Sequence, residues 1–211
     1  IFLLDCGCNY GFYSFYTASL SSQNFVVAIE ASLNTVEDFK KNLNLNKFSN
    51  IILKNFAISD VDNTTIIFNE SQNDWESSLN HNEFDEKKIT KIKTQKIDTI
   101  IKNQKLNDYS LLIKLDIEGN ELQAIEGAKN TIKKYKPIII IELSSYIFNN
   151  IDQTFDYLKS FLSEFNYSIY STKMKLITIE DVTLLINNLD TKHKTIGNYY
   201  LINNENIHEF K

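Results

Sequence analysis

Short apolar runs rich in β-branched residues recur along the chain, separated by stretches in which apolar side chains fall at helical spacing. Residues 1–5, 25–30, 51–58, 111–116, 138–143, 167–171 and 199–202 read as strands. Between them, residues 10–19, 33–45, 120–135 and 155–165 read as helices. Val36, Phe39 and Leu43 mark one helical face. Leu122, Ile125, Ala128 and Ile132 mark a second, and Leu158, Leu162 and Phe165 a third. Asp152 is the expected N-cap of the last helix, and Asn34 or Ser32 that of the second. Strand–helix alternation over the first two-thirds predicts a mostly parallel sheet covered on both faces. From about residue 60 to 97 the period changes to short alternating runs, 64–68 and 91–97, around a long polar segment. That pattern predicts a two-stranded insertion carrying a loop, and loops of such length in a compact domain are usually functional or disordered.

The 211 residues suit one domain with a single core, and neither repeats nor a composition break suggest a second. The chain opens within a strand and without Met, so it reads as an N-terminally trimmed domain. A net charge of −5 argues against a nucleic-acid partner. No apolar run reaches the ~18 residues of a membrane span. Cys6 and Cys8 lie too close together in a strand for a routine disulfide, and the three histidines are scattered, so no zinc spacing exists. Reduced, packed thiols point to a cytoplasmic protein.

The chain has five glycines, and two of them fall in DCGCNYGFYS, where the first strand gives way to a helix. Such a turn lets a ligand approach the backbone, and the helix behind it offers free N–H groups. A dinucleotide fingerprint would read G-x-G-x-x-G, but Asn9 stands where its second glycine belongs. Asp5, two residues ahead of Gly7, would repel a pyrophosphate and welcome a cation. The motif therefore favours S-adenosylmethionine, which carries an ammonium and a sulfonium and no phosphate. Glu30 ends the second strand, where a ribose-binding acid is placed in nucleotide-binding α/β folds. Asn55, Phe56, Ala57 and Ile58, after the third strand, fall where an adenine would lie, with Ala57 small enough to flank the ring.

DCGCNYGFYS, AIEAS, NFAISD, WESSL, KIDT, LLIKLDIEGNELQAIEGA and KPIIIIEL together resemble the FkbM-type methyltransferases, over most of the chain up to Leu143. Cys6 and Cys8 depart from the small apolar residues common in similar proteins. The resemblance implies a class I methyltransferase fold: a Rossmann-like, doubly wound, mostly parallel seven-stranded sheet with a β-hairpin insertion. It also implies S-adenosyl-L-methionine as cofactor and methylation of a sugar hydroxyl in a surface glycan or natural product. Fusion to, or association with, a glycosyltransferase is a further implication. The expected cofactor contacts are Asp5, Gly7, Asn9, Gly11, Ser14, Glu30, Ala31, Ser32, Ala57, Ile58 and Asp116.

Asp116 ends the fourth strand at the ligand-binding edge, and Glu142 lies near the end of the fifth. Methyl transfer is an in-line displacement governed by alignment, and a neutral hydroxyl must also lose a proton to a positioned carboxylate. Asp116 is the first choice as base and Glu142 the second. Glu118 either joins this cluster or caps the following helix, and Glu142 has a structural alternative as an acceptor of backbone N–H bonds. Glu121 and Glu126 read as solvated helix-face charges. Asp116, Glu118 and Glu142 offer oxygen ligands suited to Mg²⁺, but no spacing rule supports a metal. Trp75, Ser77 and Ser78, in WESSL, are candidates to close over the cofactor or acceptor, with plain packing as the alternative for Trp75. Three rival readings stand beside the first: an inactive cofactor-binding interaction module, a nicotinamide-dependent oxidoreductase, and a methyltransferase acting on nitrogen or a carboxylate.

Overall fold

The computed structural model describes residues 1–70, 88–106, 108–144, 151–182 and 196–207. With strands numbered in chain order, β1 (Phe2–Cys6) is buried along its whole length in the interior of an eight-stranded sheet. It pairs in parallel with β2 (Phe25–Glu30) on one side and β7 (Leu111–Leu115) on the other. β3 (Ile51–Asn55) extends the parallel run beyond β2, and β8 (Ile138–Ser144) extends it beyond β7. β11 (Ile196–Asn203) is inserted antiparallel between β8 and β9 (Tyr167–Ser171). β10 (Leu176–Ile177) adds a two-residue edge to β9 and is the strand beyond the seven that the sequence predicts.

Both faces of the central strands are covered, which is why their sequences are almost wholly apolar. Leu3, Val26, Ala28 and Ile51 pack with Ala18 of α1 (Phe12–Leu20) and Phe39 of α2 (Leu33–Asn46). On the other face Phe2, Leu4, Ile113 and Ile139 pack against α3 (Ile97–Lys102), α4 (Glu121–Glu126), α5 (Lys129–Tyr135) and α6 (Ile151–Phe165). Cys6 and Cys8 are free and buried. Among the described residues, no helix is long and apolar enough to cross a membrane.

The insertion is a hairpin of β5 (Thr65–Glu70) and β6 (Lys88–Gln95), with β4 (Ala57–Ile58) parallel to β6. Residues 51–58 are therefore not one strand. The chain leaves the main sheet after Asn55, whose Nδ2 donates to the Glu30 and Ala31 carbonyls, and joins the small sheet at Ala57. Residues 120–135 are likewise two helices instead of one. A Cβ on Gly127 would stand 2.3 Å from the Ser59 carbonyl oxygen, so the end of α4 packs on backbone. Asp98 of α3 then accepts from Thr131 N (2.7 Å) and Asn130 N (3.2 Å) and starts α5 afresh. Ser32, rather than Asn34, caps α2, accepting from Thr35 N at 3.3 Å. α6 begins at Ile151, so Asp152 lies inside the helix and is not its N-cap.

Candidate active site

In the main sheet the strand order reverses at β1, whose neighbours β2 and β7 lead the chain away in opposite directions. Open α/β sheets bind ligands at such a switch point, outside the carboxyl ends of the strands. A cavity lies there, and its wall follows from three strand ends. Gly7 and Asn9 come from the turn after β1, Glu30 and Ala31 from the end of β2, and Asp116 and Glu118 from the turn after β7. The small sheet closes it with Ala57, Ile58 and Phe68.

The first turn is built on left-handed backbone at Gly7 (φ 75°), Asn9 (φ 49°) and Gly11 (φ 92°). A Cβ at Gly7 would meet the Asp116 carbonyl oxygen at 1.8 Å, so this glycine lets the β1 turn lie directly on the end of β7. The same turn fixes Glu30. Asn9 N donates to Oε2 at 3.0 Å and Ser32 N to Oε1 at 2.9 Å, which aims the carboxylate while each oxygen keeps further acceptor capacity. Burial raises the Glu30 pKa and these N–H donors pull it back.

Not every expected contact reaches the cavity. Asp5 is 1% exposed and sits behind the wall, where its Oδ2 accepts from Ser14 Oγ at 2.6 Å. Its Oδ1 has no partner among the described residues. Burial raises the Asp5 pKa against the pull of Lys114. Gly11 packs beneath the Phe15 and Phe39 rings, and Ser32 is occupied as a cap. Trp75, Ser77 and Ser78 lie outside the described residues.

At the β7 end, Lys114 Nζ donates to Asp116 Oδ2 at 2.6 Å and stands 4.8 Å above the Tyr13 ring. Glu142 lies beside Asp116 and is hydrogen-bonded to it. Burial, then the adjoining Asp116, pushes the Glu142 carboxyl up to about 9. Asp116 keeps a pKa below the ordinary value despite its burial, through its bonds to Glu142 and Lys114. Burial and the neighbouring charge thus favour the protonated form of Glu142, and the Lys114 contact favours the ionised form of Asp116.

Glu121 overturns an expectation. Instead of a solvated helix charge it is 1% exposed, and it accepts from Ile117 N and Gly119 N at 3.0 Å. Left-handed backbone at Glu118 (φ 53°) and Gly119 (φ 103°) accompanies these bonds. Burial pushes Glu121 up to about 7 against these donors. Glu126 does lie at the surface, paired with Lys129 Nζ at 2.8 Å. Among the described residues no group of three or more His, Cys, Asp or Glu is arranged to hold a metal ion.

Sequence reasoning missed Thr35, Phe68 and Asn120 on the wall, and Lys114 behind it. Asn120 Nδ2 donates to the Ile58 carbonyl and so ties the acidic turn to the small sheet. Lys114 alone had left a signal: a charge inside the otherwise apolar strand LLIKL.

A family profile described as the methyltransferase FkbM domain matches residues 5–169. Methyltransferase FkbM from Methylobacillus flagellatus superposes with a TM-score of 0.58 at 19% identity, covering 94% of this chain and 42% of that one. An rRNA methylase from Streptococcus thermophilus superposes with a TM-score of 0.50 at 11% identity, covering 96% and 86%. A Streptococcus mutans protein described as a methyltransferase, crystallised with S-adenosylhomocysteine (SAH), gives 0.50 at 10% identity, covering 95% and 87%. At these identities the superpositions speak for fold alone. No curated protein matches the chain. The chain spans less than half the length of the Methylobacillus protein, yet the profile runs from the acid before the first glycine turn to the ninth strand. This chain accordingly belongs to the FkbM methyltransferase domain family, with a class I methyltransferase fold.

Proposed function

We propose that the chain binds S-adenosylmethionine and transfers its methyl group to a neutral hydroxyl of a sugar, in a surface glycan or natural product. The observation that carries this reading is the pairing, in one cavity, of the doubly anchored Glu30 carboxylate with the Asp116 carboxylate. Glu30 suits a ribose diol, and the slot beside it, between Ala57, Ile58 and Phe68, suits an adenine. The described wall carries Glu30, Asp116 and Glu118 and no Lys or Arg, which favours a cationic nucleoside over a pyrophosphate-bearing dinucleotide. The residues present therefore fit the cofactor. When bound, it supplies an electrophilic methyl on a positively charged sulfur.

Asp116 is then the group that receives the acceptor's proton as the oxygen–methyl bond forms and the methyl–sulfur bond breaks. Its contact with Lys114 favours the ionised form that can accept a proton, whereas burial and the adjoining Asp116 favour the protonated form of Glu142. The same acids repel a carboxylate acceptor, which supports a hydroxyl. The sugar class rests on the family. The test offers radiolabelled S-adenosylmethionine with a panel of free sugars and oligosaccharides, against small amines and carboxylic acids. Labelled sugar ethers are expected, and Asp116→Asn should lower their rate by about 10²–10⁴-fold while SAH binding persists. Labelling of amines or acids, or full turnover by Asp116→Asn, would overturn the assignment.

A further inference from the structure

In-register pairing sets Asp5 of β1 opposite Lys114 of β7, and Lys114 opposite Ile140 of β8. Side chains alternate along strands, so Asp5, Lys114, Asp116 and Glu142 fall on one face of the sheet, the face that α1 covers. Across from Glu142, β11 contributes the neutral Asn198. A polar row thus crosses three neighbouring strands whose other positions are nearly all apolar.

Lys114 is the centre of that row. Its side chain is 4% exposed, roofed by the Tyr13 ring and in contact with Asp116 Oδ2. An ammonium so enclosed is tolerated only with a charged partner. Asp116 and Glu142, in turn, are neighbouring carboxyls, and neighbouring carboxyls do not both ionise readily. The cation that decides which one keeps the proton touches Asp116.

We infer that Lys114 is a positioning residue which, by pinning Asp116 as the carboxylate, assigns the proton of the pair to Glu142. This rests on the reading of Asp116 as the group that accepts the acceptor's proton. The charges around the row agree. Lys114 stays protonated: burial works against its charge, but Asp116 and Asp5 outweigh it and raise its pKa. The titratable groups in or facing the row are Asp5 from β1, Glu30 from β2, Tyr13 from α1, Glu142 from β8, Glu118 from the turn after β7 and Glu121 from α4. Cys6 and Cys8, nearby, are neutral thiols pushed up by burial. With its proton so placed, the pair offers an incoming hydroxyl one hydrogen-bond acceptor, Asp116, and one donor, Glu142.

The test is an infrared pH titration of the carboxylic-acid C=O stretch in the wild type, Lys114→Met, Lys114→Arg and Glu142→Gln, which needs no turnover. At pH 8, above the Glu121 titration near 7, the wild type should show buried acid-band intensity that Glu142→Gln lowers by one carboxyl. In Lys114→Met the protonation of Asp116 should move up by a pH unit or more, adding a second acid band in mildly acidic buffer. Lys114→Arg should restore the wild-type titration. In methyl transfer, the acid limb of kcat should shift by the same amount in Lys114→Met, with SAH affinity within about threefold of wild type. Should Lys114→Met fail to fold, Asp116→Asn serves in its place. There the loss of the neighbouring charge should bring the Glu142 titration down by at least a unit. Unchanged titrations in these variants, or acid-band intensity at pH 8 that Glu142→Gln does not lower, would overturn the inference. A chain that methylates nothing would sink the functional reading and leave the infrared result standing.

Discussion

A carboxylate held by backbone N–H groups from two turns has little freedom to rotate away from its ligand, and Glu30 is held in that way between Asn9 and Ser32. Glu121 uses the same device for a different end, since it binds the N–H groups of the acidic turn itself. Its folded pKa of about 7 stands above the ordinary 4.5, because burial disfavours the charge. The folded state therefore holds more protons than the unfolded chain between these values. Glu121's contribution to stability is full below pH 4.5 and is lost as pH rises through 7, by about 3 kcal/mol. Glu121→Gln has no such titration. Thermal melts at pH 5 and pH 8 should show the wild type losing several degrees more than the variant, and parallel losses would mean that Glu121 titrates normally. Glu30 was legible from its distance to the glycine turn. Glu121 was not, because helical spacing alone puts it at a surface position, and only the left-handed Glu118–Gly119 backbone turns N–H groups inward to meet it.

The strands were readable because each is a short apolar run with its own boundary, and the two elements misread have non-local causes. The helix over 120–135 breaks at Gly127 because Ser59, distant in sequence, occupies the place of a side chain. It restarts because Asp98 on α3 receives the N–H groups of Asn130 and Thr131. Neither partner lies within the helical window, so periodicity runs through the break. The same residue also ties α3 to the end of α4, since Asp98 N donates to the Gly127 carbonyl at 2.9 Å. Asp98→Ala should cost about 1–2 kcal/mol, as the loss of a good N-cap does. In a chain of this size that lowers the melting temperature by roughly 2–8 °C. Chemical denaturation would check it, with an unchanged midpoint showing that the cap is not needed. The hairpin was visible as a change of period and its loop was expected at the site, but the contact made by its strand residue Phe68 was not. Phe68 reaches the cavity only because β4 and β6 pair and bring the hairpin against Ala57.

Across the whole molecule, the sheet order puts the cavity where β1 is flanked by strands leading away on either side, and the acids of three strand ends meet there. Alternation of strands and helices was enough to anticipate that place. Which acids face the cavity and which lie behind it depended on packing, so Asp5 and Glu30 look equivalent in the sequence and are not in the fold. A ligand that bridges Gly7, Glu30 and Asp116 holds three strand ends together and should stabilise the folded state. SAH at about 100 times its Kd adds about 2.7 kcal/mol. A melting temperature raised by roughly 5–10 °C is expected in a thermal-shift measurement. NAD at the same concentration should leave it unchanged, and the opposite pattern would overturn the cofactor reading.

The place of β11 in the sheet also bears on how the chain is assembled. β8 and β9 are neighbours in sequence order but not in space, because β11, which follows both, lies between them. As the polypeptide leaves the ribosome, β8 has its β7 side satisfied while its other edge stays bare until residues 196–203 have emerged. An unpaired apolar edge is a template for aggregation, and contacts so distant in sequence form late. β11 thus completes the pairing of β8, and translation speed between β9 and β11 sets how long the nascent chain waits with that edge exposed.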